Sequence, residues 1–429
     1  MQLLRDLFSL PSAPLMARHQ PSGLNSGFNG DGLSFADYVA RNRAMLRDAH
    51  SKLGGNEPVR SEMGSGELEK IINGNAPFEL TPSPGFKAGQ HKPYKRGVLL
   101  THGLTDSPYF MRHLAAFFQR SGFRVMAVLL PGHGTQPGDL LDARWQEWAK
   151  TVAYGTDQLS READEVYLAG YSIGGTLSAY QSLPNSQVPN SQVHDSRVRG
   201  LFLFAPALQI TPRAAFANLH KLYSGLIPSA KWLDIMPDRD IYKYESFAKN
   251  AAAQSYALTK NLGAQLVEHE RVRLHDLGIP VFAVASVDDM TVDTSATVRF
   301  MAQARHPCSR LVLYTTDVKT PPPGMQADKL ELVNSTFHEQ RILSSSHLAI
   351  VLPAADAHYG LRGAYSNCIH YFQDDTDKYH ACINHPEADL QGEITPKNLH
   401  SGILRRLMYN PNFAALEVSM QRFIDALPE

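Results

Sequence analysis

The chain has 429 residues, with 41 basic and 42 acidic side chains and a formal net charge of −1. This balance gives no sign of a nucleic-acid-binding surface or a polybasic membrane patch, so neither partner is expected. Hydrophobic residues make up 43% of the chain and charged residues 19%, which is typical of a globular protein and not of a disordered one. The longest apolar stretch, residues 125–130, is far shorter than the ~20 residues of a membrane span, so no transmembrane segment is expected.

The cysteine content bears on the cellular compartment. Three cysteines in a chain of this length do not form a disulfide framework. The first residues lack the apolar core of a secretory signal, because Arg5 and Asp6 interrupt them. We therefore expect a cytoplasmic protein with unpaired thiols. The alternative is a periplasmic or secreted protein from which a leader was removed, in which Cys368 and Cys382 would pair.

Residues 1–95 are rich in Gly, Pro, Ser and Asn, and we interpret them as an N-terminal extension that packs on a core. Within this extension, residues 34–46 are expected to form a helix, because four apolar residues there recur at helical spacing. These residues are Phe35, Tyr38, Val39 and Leu46.

From residue 96 onwards, short apolar runs alternate with helical patterns. The runs predict strands at residues 97–101, 123–130, 165–169, 201–204, 281–285 and 311–314, with a last short strand at 341–343. Strands that alternate with helices favour an α/β fold with a doubly wound, mostly parallel sheet. We assign this core to residues 96–208 and 279–355.

Other segments interrupt or follow this alternation. Residues 209–278 are mostly helical in pattern and too long for a simple connection, so we interpret them as a helical cap inserted into the core. The tandem PNSQV repeat at 184–193 predicts a surface loop, and the Pro-rich stretch at 316–340 also predicts a loop. Residues 356–429 are interpreted as a C-terminal extension that includes a final core helix.

The strongest local motif is Gly-Tyr-Ser-Ile-Gly-Gly at 170–175. It follows a predicted strand and opens a predicted helix, which is the setting of a nucleophile elbow. In such an elbow a sharp turn exposes the serine hydroxyl, and small neighbours let the backbone segments pass. Ser172 is therefore the candidate nucleophile.

The sequence Thr-His-Gly-Leu-Thr-Asp at 101–106 follows the first core strand, where half of an oxyanion hole is expected. An oxyanion needs two backbone N–H donors, and the candidates are Leu104 in this loop and Ile173 after the nucleophile. His102 is interpreted as a residue that stabilises the turn, because the catalytic base comes last in this chain order.

An activated serine needs a base, and the base needs an acid that fixes its tautomer. Two carboxylates, Asp288 and Asp289, follow the strand predicted at 281–285. We prefer Asp289 because D-x-x-V after such a strand is the usual arrangement. Asp288 is the alternative acid, and Asp293 comes third.

The candidate base is His347. It lies in a loop of small residues directly after the strand predicted at 341–343, and a helix-like apolar stretch follows it. A histidine there could reach over the carboxyl edge of the sheet towards Ser172. His358 is the second candidate for this role.

Together these motifs resemble the α/β-hydrolase superfamily, and most closely the bacterial carboxylesterases and monoacylglycerol lipases, with a hydrolase domain of the serine aminopeptidase S33 type. The resemblance covers about residues 96–350 and includes Leu-Pro-Gly-His-Gly at 130–134, with Pro137 and Leu140 behind it. It implies a serine hydrolase that works without a cofactor through an acyl-enzyme. The terminal extensions have no counterpart in the simple esterases.

The predicted function is hydrolysis of a carboxylic ester by Ser172, Asp289 and His347. An amide or peptide hydrolase and an acyltransferase remain open on the same triad, and a non-catalytic binding protein is a further alternative. The substrate is expected to be a small-molecule ester with an apolar acyl group, because the cap is rich in aromatic residues. No zinc, EF-hand, dinucleotide or P-loop pattern is present, so no metal and no cofactor are expected.

Overall fold

The computed structural model describes residues 13–56, 65–86, 88–183, 198–209, 227–271, 278–385 and 389–428. The PNSQV repeat lies outside these described residues, as do two parts of the predicted cap, residues 210–226 and 272–277. None of the helices in the described ranges combines the length and the hydropathy of a membrane span.

The strands of the described residues form one large sheet and two small ones. Their bounds are β1 Phe78–Leu80, β2 Tyr94–Thr101, β3 Phe123–Val128, β4 Ala163–Tyr171, β5 Val198–Phe204, β6 Trp232–Asp234, β7 Phe247–Ala248, β8 Val281–Ser286, β9 Arg310–Thr315, β10 Leu330–Asn334, β11 Leu390–Gly392 and β12 Leu404–Arg406. The large sheet has the order β1-β3-β2-β4-β5-β8-β9-β10, and only β1 runs antiparallel to its neighbour. The predicted doubly wound, mostly parallel sheet is thus confirmed.

Helices cover both faces of this sheet. Their bounds are α1 Phe35–Asn56, α2 Ser65–Asn75, α3 Arg112–Arg120, α4 Trp145–Glu162, α5 Ile173–Gln181, α6 Lys249–Arg271, α7 Thr294–Gln303, α8 Thr376–Asn384, α9 Pro396–Leu399 and α10 Phe413–Asp425. Trp148 of α4 and Leu177 of α5 share one buried cluster, whereas Phe118 of α3 and Phe423 of α10 share another. Because both faces are covered, the central strands are continuous apolar runs, which is why the sequence predicts them well.

The last part of the sheet differs from the sequence-based expectation. Residues 316–340 were expected to form a loop, but they contain the parallel edge strand β10. This strand is only partly buried, so its sequence lacks the apolar run of an inner strand. The strand predicted at 341–343 is absent from the described sheet. Ile342 makes only isolated bridges, to Phe337 and to Gln391 of the C-terminal extension.

The extensions pack against the core. The helix predicted at 34–46 is present as the longer α1, and Phe35, Tyr38 and Leu46 are buried. At the other end of the chain, α10 packs into the core, whereas β11 and β12 form a small parallel pair. The described part of the predicted cap is not wholly helical, because it contains the antiparallel pair β6–β7 before α6.

The expectation of unpaired thiols is wrong for two of the three cysteines. Cys368 and Cys382 form a disulfide, and Cys308 is free. The pairing follows from local packing, because a short turn brings Cys368 against α8, where Tyr371 and Tyr379 bury both sulfurs in one apolar cluster. The sequence spacing alone does not show this packing.

Candidate active site

Ser172 stands at the sharp turn between β4 and α5. Its φ of +55° lies in the left-handed region that side chains other than glycine rarely adopt. The neighbouring glycines permit this turn, because a Cβ on Gly170 would collide with the Gly174 carbonyl and a Cβ on Gly174 would collide with that of Thr101. The G-x-S-x-G spacing is therefore a steric requirement of the turn.

Two hydrogen bonds bring together the three residues that the sequence singled out. His347 Nε2 lies 3.0 Å from Ser172 Oγ, and His347 Nδ1 lies 2.7 Å from Asp289 Oδ2. Ser172 is 7% exposed, His347 is 3% exposed, and the Asp289 side chain is fully buried. A carboxylate only accepts hydrogen bonds, so it fixes the proton on Nδ1 and leaves Nε2 to accept the serine hydroxyl.

The surroundings of Asp289 keep it ionised. Its Oδ1 accepts the backbone N–H groups of Thr291 at 2.8 Å and Val292 at 3.0 Å. Burial alone would raise the pKa of Asp289, but the contact with His347 and these two N–H groups outweigh it, and the pKa lies below its usual value. The carboxylate is thus held in the form that can orient an imidazole.

The other candidate acids occupy different positions. Asp288 Oδ2 is buried and has no hydrogen-bond partner among the described residues, and burial raises the pKa of this carboxyl. Asp293 caps α7, where it accepts the N–H of Ser295 at 2.9 Å. Of the three carboxylates, only Asp289 contacts His347 within the described chain, so the geometry favours the preferred assignment.

The second candidate base, His358, and the turn residue His102 bond to groups other than Ser172. His358 Nε2 is 3.1 Å from Asp240 Oδ1 of the predicted cap, in a buried polar network. His102 accepts the N–H of Leu130 at 3.1 Å and lies 2.8 Å from the Gly103 carbonyl, so it holds two loops together. Burial lowers the pKa of His102 well below its usual value.

Ser172 and His347 open into a cavity of about 360 Å³. Its walls also contain Leu104 and Ile173, whose backbone N–H groups have no acceptor among the described residues. The predicted cap contributes Asp234, Lys243, Tyr244, Glu245, Phe247, Ala252 and Ser255. Both candidate oxyanion donors thus line the same space as the candidate nucleophile.

Two of the cap aromatics that suggested an apolar substrate do not line this cavity. Trp232 is 1% exposed and packs in the core against the ring of His19, and Tyr242 stacks on Tyr109. Tyr244 and Phe247 are the cap aromatics in the cavity wall. Among the described cap aromatics, these two are therefore the ones placed to contact an acyl group in the cavity.

Charged groups also line the cavity. Lys243 Nζ donates to Asp106 Oδ1 at 2.8 Å and to Thr105 Oγ1 at 2.6 Å, which connects the cap to the loop that carries Leu104. Glu245 is buried, and burial raises its pKa to about 7. Lys243, Asp106 and Glu245 have no motif signature of their own, so no sequence signal identifies them as site residues.

Two further residues at the site come from the C-terminal extension. Glu393 Oε2 accepts the backbone N–H of His347 at 2.9 Å, and Arg406 lines the cavity. They lie 46 and 59 residues after His347 in a segment without apolar periodicity, so no local sequence signal identifies them. Across the described ranges, the site included, no group of three or more His, Cys, Asp or Glu residues is arranged to hold a metal ion.

Comparison with known proteins gives one family and several relatives. A family model described as serine aminopeptidase, S33 matches residues 92–316. The chain is 37% identical over 114 residues to a thermostable monoacylglycerol lipase of Bacillus sp. strain H-257 and 34% identical over 101 residues to a carboxylesterase of Bacillus subtilis strain 168. These alignments cover 27% and 23% of this chain, and 41% and 39% of the relatives, which is less than half of their length.

Two solved structures are also among the proteins that this chain matches. The crystal structure of a monoacylglycerol lipase from Paleococcus ferrophilus is 16% identical, with a TM-score of 0.39, and the match covers 58% of this chain and 92% of that one. A structure from work on the metagenome-derived lipolytic enzymes LipS and LipT is 20% identical, with a TM-score of 0.42, and covers 61% of this chain and 88% of the other.

Proposed function

Since the chain belongs to the serine aminopeptidase S33 family, with an α/β-hydrolase fold, we propose that it is a serine hydrolase that cleaves carboxylic esters. Ser172 is the nucleophile, His347 the general base and Asp289 the acid that orients it. The observation that carries this proposal is the continuous hydrogen-bonded series from Asp289 through His347 to Ser172, at 2.7 and 3.0 Å, at the wall of a cavity.

Acylation begins when Ser172 Oγ attacks the ester carbon. His347 Nε2 takes the hydroxyl proton as the new C–O bond forms, and ionised Asp289 stabilises the imidazolium. The tetrahedral intermediate collapses when the C–O bond to the alcohol breaks, and His347 returns the proton to the leaving oxygen. The alcohol departs and the acyl group stays on Ser172.

The negative oxygen of the intermediate accepts hydrogen bonds from the backbone N–H groups of Leu104 and Ile173. Donors that are already in place need no reorganisation during the reaction, and losing one such donor costs about 3–4 kcal/mol in a serine hydrolase. In the second half-reaction, water gives a proton to His347 as its oxygen attacks the acyl carbon. The bond between that carbon and Ser172 Oγ then breaks, His347 returns the proton to Oγ, and the acid is released.

The same geometry also serves amide hydrolysis, which the name of the family, serine aminopeptidase, favours as a second candidate. The leaving amine would accept its proton from the same nitrogen of His347. The substrate proposed here is a small ester with an apolar acyl group, because Leu104, Ile173, Phe247, Val292 and Leu348 give the cavity a largely apolar wall.

The Cys368–Cys382 disulfide bears on the compartment in which the protein works. Disulfides persist in oxidising compartments and are rare in the cytoplasm. This pair therefore favours the alternative of a periplasmic or secreted protein over the cytoplasmic expectation. The thiol content of protein isolated without reductant, with and without prior reduction, tests this point.

The function is tested with Ser172→Ala and a matched control, Ser182→Ala. Ser182 lies just after α5, and its hydroxyl bonds only to the Ala179 carbonyl among the described residues. Wild type and Ser182→Ala should hydrolyse p-nitrophenyl esters and react with a fluorophosphonate probe. Ser172→Ala should lose at least about 10³-fold in kcat and should not be labelled. Retention of a tenth of the turnover in Ser172→Ala would refute the assignment, and faster hydrolysis of p-nitroanilides than of esters would favour the amide alternative.

A further inference from the structure

An ion pair from the C-terminal extension, with a buried carboxylate and a partly exposed guanidinium, lies beside His347. The Glu393 side chain is fully buried, and its Oε2 accepts the N–H of His347 at 2.9 Å. Arg406 Nε lies 2.9 Å from Glu393 Oε1, and Arg406 Nη2 donates to Oε2 at 3.1 Å. The carboxylate that holds the backbone of the base is therefore itself held by a guanidinium in a two-point contact.

Arg406 also reaches the loop that carries the acid. Its Nη2 donates to Thr291 Oγ1 at 2.7 Å, and the N–H of Thr291 donates to Asp289 Oδ1 at 2.8 Å. One guanidinium thus connects the loop after β8 with the loop of His347. These two loops must keep their side chains in contact across 58 residues of sequence.

The small β11–β12 pair, which carries Arg406, is attached to the His347 loop by further bonds. Ser346 Oγ donates to the Leu407 carbonyl, and the N–H of Leu343 donates to the Gln391 carbonyl at 2.8 Å. The residues just before His347 therefore depend on the C-terminal extension, because His347 follows no strand of the large sheet among the described residues.

We propose that Glu393 and Arg406 are positioning residues that hold His347 and Asp289 within hydrogen-bonding distance of each other, so that the C-terminal extension completes the active site. This inference rests on the proposed function. A displacement of about 1 Å in a catalytic group lowers the rate about 10²-fold. Loss of the pair should therefore lower kcat more than it changes KM.

The two charges also act on His347 with opposite sign. The other groups around this imidazole are Asp289, the hydroxyl of Ser172, the ring of Tyr171, and Asp106 with its partner Lys243. Arg406 without Glu393 is a cation that disfavours the imidazolium, whereas Glu393 without Arg406 is an anion that favours it. A purely structural role for the pair does not predict opposite shifts.

The test compares Glu393→Gln, Arg406→Met and the double variant. The rate of fluorophosphonate labelling of Ser172 and kcat/KM for a p-nitrophenyl ester are measured from pH 5 to 9. We expect the acidic limb of the profile to move by about one pH unit, downwards in Glu393→Gln and upwards in Arg406→Met, and to return to the wild-type position in the double variant. All three variants should lose about 10- to 100-fold in kcat, with KM within about threefold.

Arg405→Gln is the matched control, because Arg405 lies on the same strand but forms its ion pair with Asp389, at 3.6 Å. It should leave the profile and kcat within about twofold of wild type. If one single variant does not fold by circular dichroism, the remaining single variant and the double variant still give the direction of the shift. Shifts in the same direction, or an unchanged limb with kcat within twofold, would overturn the proposal. Wild type that is labelled at Ser172 but hydrolyses no ester would contradict the proposed function and leave the positioning role measurable.

Discussion

Replacing Asp289 with Asn should reduce turnover by about 10⁴-fold. In the native site Oδ1 accepts two backbone N–H groups, from Thr291 and Val292, so an amide at this position keeps its oxygen there. Its NH₂ group then takes the place of Oδ2, 2.7 Å from His347 Nδ1, and donates to that nitrogen. The imidazole proton is forced onto Nε2, which can no longer accept the proton of Ser172.

The magnitude follows from the consequence of a wrong tautomer in a serine hydrolase. A loss of about 10⁴ in kcat corresponds to about 5 kcal/mol of transition-state stabilisation. The loss should appear in kcat and not in KM, because Asp289 is buried behind His347 and does not line the cavity. Circular dichroism and the unfolding midpoint should show an intact fold.

Asp288→Asn is the matched control, and its kcat for p-nitrophenyl butyrate should stay within about threefold of wild type. The Asp288→Asn substitution removes a carboxylate with one buried, unpartnered oxygen. The unfolding free energy of this variant should therefore stay the same as that of wild type or rise. A larger loss of kcat in Asp288→Asn than in Asp289→Asn would show that the acid is Asp288 and would refute the reasoning from hydrogen-bond geometry.

The remaining predictions concern specificity, pH and the disulfide. Phe247→Ala enlarges the cavity wall, so the kcat/KM ratio of p-nitrophenyl octanoate to acetate should change at least about threefold, whereas Phe372→Ala, outside the cavity, should leave it unchanged. Burial lowers the pKa of His133 from 6.5 to about 4, so the unfolded state binds more protons, and urea titrations should show an unfolding free energy that falls by up to about 3 kcal/mol between pH 6.5 and 4. If the unfolding free energy of His133→Asn falls equally steeply over this pH range, His133 is not the origin of the pH dependence. Replacing Cys368 and Cys382 with Ser should lower the unfolding free energy by about 3 kcal/mol, the value expected for a loop of about 15 residues, and unchanged stability would contradict it.

The sequence predicted the inner part of the fold well and its margins poorly. Strands such as β3 and β8 are buried at every position, so they appear as continuous apolar runs between turn residues. The edge strand β10 is only partly buried and follows a proline-rich stretch, and its parallel pairing with β9 is the feature that defines it. Such pairing between distant segments leaves no local pattern.

The same distinction applies to the site. The turn at Ser172 needs glycines at fixed spacing, and this local requirement is visible in the sequence. The contact between Glu393 and His347 needs the small β11–β12 pair to lie beside the His347 loop, and nothing near residue 393 indicates it. The Cys368–Cys382 disulfide is only the alternative at the level of sequence for the same reason, because the packing of α8 decides whether the two sulfurs meet.

The antiparallel strand β1 has a consequence for how this protein can be made and trimmed. It pairs Phe78 with Ala127 and Leu80 with Val125, and its Glu79 forms an ion pair with Arg124 of β3. Removal of the N-terminal extension would leave the unpaired amides of a fully buried strand open to other chains, which is a known cause of aggregation. During translation β1 leaves the ribosome before β3, so the cover for this edge is already available when β3 emerges. Expression of the catalytic core alone, from residue 96, would discard that protection.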